Sequence, residues 1–136
     1  YGMKDSKTFT ALLSLRDAAN SMAMALECGD MEGYINNLNL SCESLYLLHT
    51  SCDSIAHRKY CRDLEEHILG RKTCGAGGGG GMVVYTRSGH RRTCILRARE
   101  LGGEVWPVTL DFNGVVSWPE KSTSKDLFEK IKSSCR

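Results

Sequence analysis

Residues 72 to 81 read Lys-Thr-Cys-Gly-Ala-Gly-Gly-Gly-Gly-Gly, and six of the seven positions from Gly75 to Gly81 are glycine, with Ala76 the exception. A backbone without Cβ atoms can take φ > 0 and can approach another surface closely. Successive N–H groups free of side chains can also form a nest that cradles an anion, and phosphate is the commonest biological anion to need one. Lys72 stands just upstream, where its ammonium either adds charge to such a nest or faces solvent from a strand end.

Other glycine-loop chemistries fit less well. Gly75, Gly77 and Gly80 satisfy G-x-G-x-x-G, but that dinucleotide fingerprint needs a strand before it and a helix opening at its end. Here the run feeds into Met82-Val-Val-Tyr-Thr86, which has strand character. A P-loop needs Lys-Ser or Lys-Thr after its last glycine, and Met82 stands there instead. A flexible tether would sit in polar surroundings, whereas Lys72-Thr-Cys and Met82-Val-Val-Tyr suit neighbouring strands. A tight loop between two strands is the expectation.

The remaining chemistry-bearing residues give weaker signals. Seven cysteines form an odd set without paired spacing, which fits reduced thiols in a cytosol. His49, Cys52, His57 and Cys61 could be gathered into a zinc set, but they contain no Cys-x2-Cys pair and span a turn and a helix; packing is preferred. Cys74 occupies a position where a small residue suffices, so packing outranks nucleophilic catalysis there. Trp106 and Trp118 are taken as core or sheet-surface packing.

The pattern Lys-x-Cys-Gly-Ala-Gly-x-Gly-Gly at Lys72, Cys74, Gly75, Ala76, Gly77, Gly79 and Gly80 strongly resembles the third motif of the GHMP family, which comprises galactokinase, homoserine kinase, mevalonate kinase and phosphomevalonate kinase. The all-glycine form looks most like the branch of heptose-phosphate kinases and fucokinase, from which Gly81, often phenylalanine there, departs. The resemblance covers most of the chain as a C-terminal domain. It implies transfer of the γ-phosphoryl group of ATP, with Mg²⁺, to a small sugar or sugar phosphate. It also implies that Lys72, Gly75, Ala76, Gly77, Gly78, Gly79 and Gly80 form the phosphate and substrate loop. His57 and Arg58, close to the loop that borders substrate in that family, become either sugar contacts or part of a solvated helix face. The family's nucleotide loop, Pro-x3-Gly-Leu-Gly-Ser-Ser-Ala, occurs nowhere in residues 1 to 136, and its catalytic aspartate and metal ligand belong to the same N-terminal domain. The expected partner is therefore that nucleotide-binding domain, and no catalytic or metal-ligating residue is expected in this chain. A non-catalytic binding or regulatory module of the same fold is the alternative. A third reading is a helical hairpin that recruits partners through an exposed face.

Such a loop must be held by the elements around it. Phe9, Leu12, Leu13, Ala19, Ala23 and Leu26 recur at helical spacing from about Ser6 to Cys28, where Gly29 supplies the stop. Asp30 is an N-cap candidate for a second helix whose face carries Met31, Tyr34, Ile35, Leu38, Cys42, Leu45 and Leu48. The short break at Gly29-Asp30 predicts an antiparallel helical hairpin. Ile55 or Ala56, Tyr60, Leu64 and Ile68 predict a third helix that ends at Gly70. A short strand should precede the glycine loop and a buried strand, Met82 to Thr86, should follow it. Gly89 to Leu101 predicts a helix stopped by Gly102-Gly103. Val105 to Phe112 and Val115 to Trp118 predict a hairpin about Asn113-Gly114, and Ser124 to Ser133 a last helix. The sum is an α+β domain over 1–136: a ferredoxin-like antiparallel sheet with helices packed mainly on one face, preceded by the N-terminal helical hairpin.

Composition sets the outer limits. The 136 residues, 41% hydrophobic and 25% charged, suffice for one domain with a core. A formal charge of +2 is too small to imply nucleic acid, and the basic residues at 87–92 and 97–99 are taken as a solvated helix face. No run is long and apolar enough for a membrane span, and the first residues lack the apolar core of a signal peptide; a cytoplasmic protein is expected. The chain opens on Tyr1, which raises the expectation of a piece of a longer protein.

Overall fold

The computed structural model describes residues 6–108 and Ser117. The chain divides into two units, Tyr1–Gly103 and Glu104–Arg136. The first unit is α+β, with α1 (Ser6–Cys28), α2 (Met31–Leu48), α3 (Ile55–Asp63), β1 (Ile68–Thr73), β2 (Met82–Thr86) and α4 (Arg91–Glu100). Of the second unit, Glu104–Val108 and Ser117 are described and carry no helix or strand. The strand expected from Val105 is thus not formed over 105–108, where Pro107 has no N–H to give to a ladder. The rest of that expected hairpin and the expected helix Ser124 to Ser133 lie outside the described residues.

Gly29 takes φ +72° at the end of α1, and the Asp30 side chain accepts from the Gly33 amide at 2.9 Å, which caps α2. The two helices pack on one another, but not through the apolar set expected for α1. Phe9, Leu12 and Leu26 are exposed, while Ala11, Ala18 and Ala25 are buried, with Leu15 and Met22 half-buried between them. Small residues spaced by seven let the helices approach closely, and α2 answers with buried Leu38, Ser41, Cys42, Ser44 and Leu45.

The third helix is shorter than its sequence pattern predicts. It ends at Asp63; a 3-10 turn, Glu65–His67, follows, and Ile68 is already extended at φ −116°, ψ 153°. Gly70 is therefore no helix stop. It sits in β1 against α2, where an added Cβ would lie 3.1 Å from Ile35 Cγ2 and 3.3 Å from Leu38 Cδ2, so glycine allows the strand to lie on the helix.

Strands β1 and β2 pair antiparallel, with Lys72 opposite Val83 and Thr73 opposite Met82, and a bulge between Ile68 and Gly70 leaves Leu69 unpaired. Asn39 of α2 covers the outer edge of β1: its Nδ2 donates to Leu69 O at 3.0 Å and its Oδ1 accepts from the Arg71 amide at 3.0 Å. β2, expected to be buried, alternates instead, with Val83 and Tyr85 exposed and Val84 packed on the cluster of Leu64, Ile68 and Cys94. A two-stranded ladder with helices on one face leaves the other face open. α4 begins two residues later than expected, after His90, and ends before Gly102 at φ +86°. No helix among the described residues is long and apolar enough to cross a membrane.

Candidate functional site

The glycine run is the connection between β1 and β2, closed at its neck by the Cys74 amide donating to Gly81 O at 3.0 Å. Five of its glycines, Gly75, Gly77, Gly78, Gly79 and Gly80, have positive φ, between 63° and 150°. Side chains would be strained at these angles, which explains the run of residues without them.

Two of the glycines also meet a neighbouring backbone. An added Cβ at Gly77 would collide with Cys52 O and come within 2.9 Å of Cys52 Cα; at Gly78 it would collide with Ser51 O. The Gly78 amide donates to Cys52 O at 3.0 Å. The surface beneath is the 3-10 turn Thr50–Cys52, capped by His49, whose Nδ1 accepts from the Ser51 amide at 3.1 Å. Gly75, Gly79 and Gly80 meet nothing at the Cβ position, so the loop has one docked flank and one open flank.

A column of buried polar groups stands under the docked flank. Thr73, the last residue of β1, is 0% exposed, and His57 of α3 is 4% exposed. His57 Nε2 lies 3.1 Å from Gly80 O; a carbonyl only accepts, so Nε2 carries a proton and donates. His57 Nδ1 lies 3.5 Å from Thr73 Oγ1, which in turn lies 2.9 Å from the Tyr46 hydroxyl. Tyr46, Thr73, His57 and Gly80 thus form one continuous line of polar contacts. The Cys42 thiol, also 0% exposed, lies 3.7 Å from Thr73 Oγ1. Burial, with the nearby Cys42 second, pushes the Tyr46 phenol up to about 12. Burial likewise raises Cys61, whose thiol lies 3.7 Å from the Met82 sulfur.

Not all the residues expected at the site are brought together. Gly75 through Gly80, with Ala76, lie together in the connection between β1 and β2. His57 is neither a solvated residue nor open to a ligand: it is a buried strut that holds the loop at Gly80. Arg58, the next residue along the helix, points outward; its Nε donates to Asp53 Oδ1 at 2.7 Å, Nη2 pairs with Oδ2, and the guanidinium holds the Asp53 carboxyl below its ordinary range. Lys72 is half-buried, and strand alternation sets it on the face opposite Thr73, away from the column. It makes no ion pair among the described residues. Tyr46, Thr73 and the carbonyls of Ser51 and Cys52 escaped sequence reasoning, because nothing in their spacing relates them to residues 16 to 31 positions away. The one available signal was Thr73 itself, which lies within the motif between Lys72 and Cys74.

The arrangement can present backbone amides to an anion along the open flank, from a loop whose other flank is fixed. No protein-family model matches the chain, and no curated protein matches it.

Proposed function

We propose that this chain is the C-terminal, substrate-side domain of an ATP-dependent small-molecule kinase of GHMP type, acting on a sugar or sugar phosphate. The observation that carries the proposal is the conformation of the motif. Lys72-Thr-Cys ends one strand, and Gly75 to Gly80 turn through positive φ into its antiparallel neighbour, as a loop that shapes the phosphate-transfer cleft requires. The open flank of that loop, at Gly75, Gly79 and Gly80, is where ATP phosphates or substrate would pass. The amides there fit an anion, while Asp53, which follows the turn beneath the docked flank, is committed to Arg58. Mg²⁺ is accordingly assigned to ligands of the nucleotide-binding domain. When bound, Mg-ATP supplies the γ-phosphoryl group; this chain's own part is to hold and orient the acceptor and to exclude water beside the loop. The finer architecture that goes with this reading is the N-terminal helical hairpin with a ferredoxin-like antiparallel sheet, in a cytoplasmic enzyme.

A second reading, a non-catalytic binding or regulatory module, draws on the Gly78 amide. That N–H is turned inward to Cys52 O, and is therefore withdrawn from any nest. Phosphorylation assays with Mg-ATP on a panel of sugars and sugar phosphates, run with this chain alone and with it joined to a GHMP-type nucleotide-binding domain, separate the two. The kinase reading expects transfer only from the joined protein; the module reading expects none from either.

A further inference from the structure

Away from the glycine loop, two adjoining hollows open along α3 and β1, with volumes of about 360 Å³ and 270 Å³. They share Cys61, Arg62 and Arg71; the larger extends to Glu65 and Arg87, the smaller to Glu43 and Arg58. No lining residue belongs to the loop. The larger is of the size in which small ligands bind.

We propose that the larger hollow is a binding site for the phosphate monoester of a small hydroxylated molecule, with Arg62, Arg71 and Arg87 as its anion-binding residues. Arg62, Arg71 and Arg87 line it together with a single carboxylate, Glu65. Arg62 and Arg87 make no ion pair among the described residues, unlike Arg58, which is taken by Asp53. Arg71 is partly engaged, donating one Nη2 bond to Glu43 at 2.5 Å, while its backbone is fixed through Asn39. The three cations come from separate elements: Arg62 from α3, Arg71 from β1, and Arg87 from the residue after β2, whose amide is tied to His67 O at 2.9 Å. Like charges gathered from three elements repel one another, and a dianion with several acceptor oxygens relieves that repulsion. Guanidinium forks match phosphate oxygens in pairs, which an ammonium cluster would not.

Two further features narrow the ligand. Glu65 would repel a second anionic group but accepts hydroxyl donors, so the ester should carry hydroxyls and a single phosphate. Cys61 is held in its thiol form by burial and adds no negative charge. The site does not depend on the kinase reading, since it uses none of the loop residues.

Isothermal titration or amide chemical-shift mapping of the full chain with inorganic phosphate, glucose 6-phosphate and glucose, against chloride of equal ionic strength, tests it. Saturable binding is expected for both phosphates, tighter for glucose 6-phosphate, with shifts at the Gly70 and Arg71 amides, and none for glucose. Arg62→Ala and Arg87→Ala should each weaken phosphate binding about 10-fold, the effect of losing a charge-assisted hydrogen bond. Both side chains are at the surface, so the thermal midpoint without ligand should hold. Phosphate effects no larger than those of chloride, or binding retained in the Arg62→Ala/Arg87→Ala double variant, would overturn the site. Equal affinity for the two phosphates would overturn the ester.

Discussion

The Tyr46 hydroxyl lies 2.9 Å from Thr73 Oγ1, which joins the last turn of α2 to the last residue of β1. Thr73 is fully buried, and its hydroxyl faces His57 on the other side, so a helix, a strand end and the loop's base share one polar column. Thr73→Val leaves the Tyr46 hydroxyl and His57 Nδ1 without that partner. It is expected to destabilise the fold by about 1–3 kcal/mol, read by urea denaturation. Tyr46→Phe removes one bond only and should cost about 1 kcal/mol.

The same phenol sets an alkaline limit. Its folded value, about 12, lies above the ordinary 10.0, so the native state holds this proton more tightly than the unfolded chain does. The resulting stabilisation is complete below pH about 10 and is lost as pH rises towards 12. Unfolding free energies measured from pH 9 to 12 should fall more steeply for the wild-type chain than for Tyr46→Phe. Parallel curves would remove Tyr46 as the cause.

Glycines of one run should differ sharply when replaced. Gly77→Ala and Gly78→Ala add both a positive-φ penalty and a collision with the backbone of Cys52 or Ser51, together about 2–5 kcal/mol. Gly80→Ala meets open space and should cost only the conformational penalty, about 1–2 kcal/mol. Denaturation midpoints of the three variants check the order.

Asn39 imitates a third strand by accepting from and donating to β1 across its outer edge. Asn39→Ala should cost about 1–2 kcal/mol and speed hydrogen exchange at the Arg71 amide, with little change at Val84 in the partner strand.

What could be foreseen from sequence was local. Gly29 and Asp30 mark the break between α1 and α2 because a positive-φ stop and an Asp cap act within four residues. The glycine run between Lys72-Thr-Cys and Met82-Val-Val-Tyr announces a strand connection for the same reason. Sequence pattern and structure part where a distant partner decides. The large residues Phe9, Leu12 and Leu26 outweigh Ala11, Ala18 and Ala25 in any apolar count, yet the contact with α2 selects the alanines. Gly70 has the form of a helix stop until Ile35 and Leu38 of α2 are seen against it. His57 is indistinguishable from a surface histidine without Gly80 O, 23 residues away, and Thr73, 16 away. The arginine hollow is scattered over α3, β1 and the end of β2, so no spacing rule could gather it.

We propose that the glycine loop belongs to a phosphoryl-transfer cleft completed by another domain. Transfer of the γ-phosphoryl group from Mg-ATP to a sugar or sugar phosphate, followed for this chain joined to a GHMP-type nucleotide-binding domain, tests it most directly. Transfer by the joined protein is expected, about 100-fold slower with Gly79→Val on the open flank, on the order of the loss when a pre-organised phosphate contact is removed, and none by the 136-residue chain alone. ATP-dependent transfer by the isolated chain, or no transfer to any acceptor by the joined protein, would contradict it.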